Sequence, residues 1–174
     1  MPGNAPFILA VDQGTTSTKA LVLDREGKIA GQSQGSFIID PIHPEPSWVE
    51  YDPWQILGTI CDASRSAVEA AGLGMGSIAA LGLDNQGETI IAFDVADGAP
   101  IYNAISWQDR RSDPIIHRWQ KAGLETLVRN QTGLRLDSYF PAGKICWIIE
   151  TIPEAKRLLG IGRLRVATSR WRQI

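Results

Sequence analysis

The sequence predicts an α/β fold with a mixed sheet flanked by helices. Three observations carry this: a strand-turn-strand pattern over residues 7–37, a helix with matched start and stop signals ending at Gly72, and an apolar run at 78–83 followed by helical periodicity up to about residue 150. At 174 residues and 44% hydrophobic composition, the chain can bury a core without disulfide or metal support.

Phe7 to Val11 is a short apolar run, Asp12-Gln13-Gly14-Thr15-Thr16-Ser17 a polar turn, and Lys19 to Asp24 a second strand. Asp24-Arg25-Glu26-Gly27 turns the chain again into a third strand predicted over Lys28 to Phe37, and prolines 41, 44 and 46 mark a loop. The next element is a helix with Asp52 as N-cap, Pro53 at the first helical position, Gln55 in a capping-box arrangement and Gly72 past its end. Its predicted apolar face is Trp54, Leu57, Cys61, Ser64, Val68 and Ala71. Ile78 to Leu83 reads as a strand buried on both faces. Thr89–Phe93 and Pro100–Ile105 form an expected antiparallel pair turned at Asp97-Gly98, and helices are expected at about 112–121, 124–131 and 142–150.

Charge and composition exclude several classes. Residues 156–174 carry six basic groups and no acid, so the body before them holds 11 basic and 19 acidic groups. An acidic body argues against nucleic-acid binding, which requires clustered Lys and Arg. No apolar run approaches the roughly 20 residues of a membrane span, and the N-terminus lacks a signal-peptide pattern, so a cytoplasmic setting without membrane partners is expected. Cys61 and Cys146 lack metal or disulfide spacing and read as core thiols. His43 and His117 support neither a metal site nor a triad; Trp48, Trp54, Trp119 and Trp147 read as packing residues.

Two glycine-rich possibilities fail on context. Gly72-Leu73-Gly74-Met75-Gly76 follows a helix and precedes a strand, the reverse of a dinucleotide loop, and no GxxxxGK[ST] string occurs. Asp12 to Ser17 differs in kind: an acid at a strand end, a glycine permitting a tight turn, and hydroxyls and amides able to converge on an anion. That chemistry suits a triphosphate with magnesium, the carboxylate reaching the metal through water, although an isolated Asp-Gly turn is more often only a turn.

The string Ala10 to Lys19 resembles the opening phosphate loop of the FGGY carbohydrate kinases. The likeness continues through Ser47 to Pro53, Gly82 to Thr89, Pro100 to Arg111, and Thr132-Gly133-Leu134 to Tyr139-Phe140. The resemblance implies a ribonuclease-H-like, actin-related fold of two lobes, with ATP and a small polyol or sugar meeting between them. It implies an ATP phosphate and Mg2+ site at Asp12, Gly14, Thr15, Thr16, Ser17 and Lys19, and an acceptor site at Gly87, Glu88, Trp107 and Tyr139. A carboxylate and a phenol hydrogen-bond hydroxyls, and an indole face packs on a carbon chain. Another actin-like ATPase, such as a chaperone, is disfavoured by the Trp-Gln-Asp-Arg-Arg and Asn-Gln-x-Glu-Thr strings.

Two departures matter. Gly87 stands where the glycerol-specific members carry Arg, and losing one charged hydrogen bond costs about 1.5–3 kcal/mol, so a longer polyol or a sugar competes with glycerol as acceptor. The family pattern also continues through a Gly-Thr-x-Asp-x-Trp string toward the carboxylate that acts as catalytic base, and this chain lacks both. The expectation is therefore an N-terminal kinase domain at 1–160, inactive alone, with 161–174 an atypical basic tail from truncation or a frame shift. A basic helix docking a partner, a non-catalytic polyol-binding module, and self-association or pairing with a missing C-terminal lobe are the competing expectations.

Overall fold

The computed structural model describes residues 6–169. Contacts divide the chain into two units, one running to Asp40 and resuming over Trp54–Gln86, the other comprising Pro41–Pro53 and the chain from Gly87 onward.

In the first unit, β1 (Phe7–Gln13) and β2 (Ser17–Leu23) form the expected antiparallel pair, with Asp12 opposite Lys19. The predicted third strand is broken in two. β3 (Ile29–Gln32) pairs with β2, the chain turns at Gly35 with φ 110°, and β4 (Phe37–Ile38) pairs with β2 further along. β6 (Ile78–Asn85) runs parallel to β1 and completes the order β3-β2-β1-β6; β5 (Glu50–Tyr51) is in the other unit.

Helix α1 (Pro53–Ala70) packs on one face of this sheet through Thr18 and Thr59, whose hydroxyls lie 2.9 Å apart. Its buried stripe is Ile56, Ile60, Ala63, Ala67 and Val68, against Leu9, Val11, Ala20 and Val22 from the strands. The predicted face is thus rotated: Ser64 and Val68 are buried, but Trp54 is 48% exposed and Cys61 only half-buried. Small residues allow close approach to β3, and hydrophobicity counting gives them too little weight. The Asp40 amide donates to the Gln55 side-chain oxygen at 3.3 Å, a tertiary link absent from the capping-box reading.

β6 corrects another expectation. It is a sheet edge, with Leu81 51% exposed, whereas its apolar sequence predicted burial on both faces. Apolar runs record the cover a strand is suited to, and in this unit only β1 flanks it.

In the second unit, β5 (Glu50–Tyr51) pairs with β8 (Ala104–Ile105), and β7 (Ile91–Asp94) pairs with β9 (Leu164–Ala167). The expected 89–105 pairing exists only as bridges, Ile90 to Ile105 and Phe93 to Pro100, with Gly98 at φ 69° in its turn. Helices α2 (Asp113–Lys121), α3 (Glu125–Thr132) and α4 (Pro141–Thr151) match the predicted positions. α5 (Pro153–Gly160) was not anticipated, because Pro153 reads as a terminator yet here opens a helix as its first residue.

Ile90, Ala92, Ile105, Ile148 and Ala155 make the core, with Trp147, Leu164 and Val166 packed against it. Residues 164–167 of the basic segment are therefore a paired strand, and Arg163 grips the Asp94 carboxylate, holding it below its ordinary range. Arg170 to Ile174 lie outside the described residues.

Candidate functional site

The two groups of residues singled out by sequence fall in different units, the phosphate-loop set in the first and the acceptor set in the second. Strand alternation fixes the first set. Gln13 and Thr18 turn toward α1 and are buried, so Asp12 and Lys19 turn to the opposite face and are exposed. Asp84 on β6 stands in register beside Asp12, and Asp12, Lys19, Asp84, Leu21 and Gly82 line one cavity of about 500 Å³.

The turn between β1 and β2 is closed by the Gly14 amide donating to the Ser17 carbonyl at 3.0 Å. A Cβ at Gly14 would stand 3.1 Å from that oxygen, so the residue is set by space rather than by a left-handed φ. Two glutamines hold the same loop: Gln13 and Gln86 both donate Nε2 to the Gly14 carbonyl, at 2.7 and 3.1 Å. The buried Gln13 Oε1 has no partner among the described residues. Thr15 and Ser17 are half-buried and Thr16 exposed, its carbonyl tied to the Ile39 amide at 3.1 Å.

A free carboxylate at a strand end, a lysine opposite and a constrained hydroxyl turn suit phosphate oxygens and a water-bridged divalent cation. Sequence reasoning missed Gln13 and Gln86; their proximity to the glycine turn was the available signal, but their common target is a tertiary fact.

The acceptor set gathers Trp107 and Tyr139, whose rings meet edge to face at 5.8 Å, and the Phe140 ring also meets that of Tyr139 edge to face at 5.1 Å. Tyr139 remains 42% exposed, and its amide donates to Asp137 Oδ1 at 2.9 Å. Trp107 is half-buried, its amide donating to the Thr89 hydroxyl at 3.2 Å. Glu88 borders a largely apolar cavity of about 260 Å³ walled by Trp119, Leu136, Phe140 and Pro141. A Cβ built on Gly87 meets nothing within 4 Å, so the space beside this position is open.

A buried ion cluster stands behind this set, and sequence reasoning missed it. Arg111 bonds Asp109 through Nε (2.9 Å) and Nη2 (2.8 Å) and reaches Glu50 Oε1 at 2.8 Å, with all three side chains almost wholly buried. Its guanidinium lies 4.0 Å from the Trp48 ring centre and 4.6 Å from that of Trp147. Tyr102 and Asn103 each donate to Glu50 at 2.7 Å, and Asp109 accepts the Val49 amide at 2.6 Å. Burial opposes the charge on Arg111, but its hydrogen bonds to Asp109 and Glu50 outweigh it and keep the pKa above its ordinary value. The cluster ties β5, the Trp107–Arg111 loop and α4 together, and Trp48 and Trp147 are packing residues as expected.

His43 gives Nδ1 to the Trp48 carbonyl at 2.9 Å, and His117 is exposed. Both cysteines are free and half-buried, not core thiols. Among the described residues no helix is long and apolar enough to cross a membrane, and no three metal-binding side chains cluster.

Comparison with known proteins agrees with this geometry. Residues 7–162 match the N-terminal domain of the FGGY family of carbohydrate kinases. The chain is 46% identical over 162 residues to the glycerol kinase of Burkholderia cenocepacia and 43% identical to that of Methylibium petroleiphilum, covering 93% of itself and 32% of each relative. It therefore spans about a third of their length. The Plasmodium falciparum glycerol kinase solved with ADP superimposes at TM-score 0.85 with 27% identity, over 96% of this chain and 33% of that one. A xylulose kinase from Rhodospirillum rubrum shares the fold, at TM-score 0.78 and 19% identity over 94% and 32%. The mixed sheet is the actin-like ATPase fold, and the chain belongs to the FGGY family of carbohydrate kinases.

Proposed function

We propose that the chain carries the acceptor face and first phosphate loop of an ATP-dependent kinase acting on a primary hydroxyl of a polyol or sugar. The observation that carries the reading is the Trp107–Tyr139 ring pair in the unit that also holds Glu88, all within the residues that match the family model. Tyr139 and Glu88 would hydrogen-bond acceptor hydroxyls while the Trp107 face covers the carbon chain. Asp12, Gly14, Thr15, Thr16, Ser17 and Lys19 would hold ATP phosphates, with Asp12 reaching magnesium through water; bound there, the cation would neutralise phosphate charge. The general base and most of the nucleotide lobe would come from sequence outside this chain, so residues 1–174 alone are inactive. A cytoplasmic setting fits the two free cysteines. Residues 161–174 remain proposed as an atypical basic end of the chain, although Leu164–Ala167 within them pairs with β7 and packs on the core.

The test joins residues 1–160 to the remaining two-thirds of the Burkholderia cenocepacia glycerol kinase and assays ATP-dependent phosphorylation of glycerol, longer polyols and sugars. Turnover of at least one acceptor is expected. None at all, with the parent relative active alongside, would end the reading.

Open space at Gly87 favours an acceptor longer than glycerol. Gly87→Arg in the chimera is therefore expected to raise kcat/KM for glycerol about 10- to 100-fold, the worth of one charged hydrogen bond, and to lower it for longer acceptors. Equal values for both forms on glycerol would remove Gly87 from specificity.

A further inference from the structure

Lys144 is a wholly buried cation in the first turns of α4 whose ammonium points at backbone. Nζ donates to the Ser138 carbonyl at 2.7 Å and to the Tyr139 carbonyl at 2.6 Å. Among the described residues no carboxylate is paired directly with it, so what it chiefly bonds is the loop that carries Tyr139.

The neighbouring residue explains how it gets there. Gly143 packs so closely on α2 that a Cβ would lie 2.9 Å from Ser112 and 3.1 Å from Ile116, which seats the start of α4 deep enough for Lys144 to reach under the loop. Tyr139 then has three restraints: its amide on Asp137, its carbonyl on Lys144, and its ring against those of Trp107 and Phe140.

We propose that Lys144 is a positioning residue for the acceptor site, fixing the backbone of Ser138 and Tyr139 and so the direction in which the Tyr139 ring and phenol are presented. The inference rests on the acceptor reading for its functional meaning, but its geometry can be tested without any acceptor.

The restraint is also sensitive to pH. Burial lowers the Lys144 pKa to about 8; Asp109, Glu88 and Asp137 favour the ammonium and Arg111 disfavours it. A lysine whose folded pKa lies below its unfolded value makes the native state more stable as pH rises from about 8 toward the ordinary lysine range. The hydrogen bonds to the loop weaken over the same interval, because a neutral amine is the poorer donor. Global stability and loop order thus move in opposite directions, which a merely structural lysine would not produce.

The experiment is NMR of the full chain with 13C-labelled tyrosine and tryptophan. Tyr51 and Tyr102 serve as internal references, and the Tyr139 and Trp107 signals are assigned by Y139F and W107F. Expected are an upfield move of the Tyr139 carbonyl with a midpoint near pH 8 and a weakening of the Trp107–Tyr139 ring cross-peak over the same range, while Tyr51 and Tyr102 stay still. In Lys144→Met the Tyr139 signals should sit at the high-pH position throughout. Lys144→Arg should keep the ring cross-peak and abolish the pH step. Should Lys144→Met fail to fold, Lys144→Gln takes its place. A Tyr139 carbonyl and ring cross-peak in that variant identical to wild type at pH 6.5 would overturn the proposal, whereas failure of the chimera to phosphorylate any acceptor would overturn only the acceptor reading.

Discussion

Replacing Arg111 by methionine is expected to cost about 3–5 kcal/mol of stability, the usual result of removing one partner from a buried ion pair. Methionine fills much of the volume between Trp48 and Trp147, so the loss is electrostatic more than steric. It leaves the carboxylates of Glu50 and Asp109 buried without their cation, with Tyr102 and Asn103 still donating to Glu50 and the amides of Val49 and residue 111 still donating to Asp109. For a chain of this length the melting temperature should fall by roughly 6–20 °C. Adding Glu50→Gln to Arg111→Met should recover part of the loss, because one stranded charge is removed, and the two changes should be non-additive. A loss below about 1 kcal/mol for the single variant, in urea unfolding of the chain, would show the cluster to be solvated and the reading wrong. Because the cluster holds the loop that begins at Trp107, the same variant should also blur the Trp107–Tyr139 contact before unfolding is complete.

Much of this architecture is legible in the residues. The strand-turn-strand opening follows from apolar runs around a turn of Gly and hydroxyl residues, and helices α2 to α4 follow from periodicity with glycine and proline punctuation. What escaped has a common cause. The Arg111 cluster joins Glu50 to residues about sixty positions later, and no spacing rule connects them. Gln13 and Gln86 converge on one carbonyl from opposite ends of the first unit. The break between β3 and β4 depends on Gly35, whose φ of 110° looks in sequence like an ordinary strand glycine. Lys144 sits on an apolar helix face where a charged residue reads as a solvated exception, and only its two carbonyl partners reveal that it faces inward. The acceptor residues were found by motif rather than by chemistry, since Glu88, Trp107 and Tyr139 taken singly look like a loop acid and two core aromatics.

The rotated face of α1 leads to a second large effect, expected at Gly31. A Cβ there would lie 2.5 Å from the Ala67 carbonyl, 2.6 Å from the Ala71 amide and 2.8 Å from the Ala71 methyl. Two of these three atoms are backbone, so no rotamer change can make room; helix and strand must separate. Overpacking of a tight site costs about 1–3 kcal/mol and sometimes more. Gly31→Val should fall at or above the upper end, because its branches add volume to the same contact. Gly31→Ala should also destabilise, although alanine suits a strand at least as well as glycine does. Gly58 provides the matched control: it lies within α1, a Cβ there meets nothing within 4 Å, and Gly58→Ala should stabilise the chain by about 0.5–1 kcal/mol through helix propensity. Opposite signs for the same glycine-to-alanine change, measured by urea unfolding, would locate the effect in the α1–β3 contact. If both substitutions stabilise, the helix does not approach β3 as closely as described, and the small-residue stripe of Ala63, Ala67 and Ala71 loses its explanation as the surface that lets the sheet and helix touch.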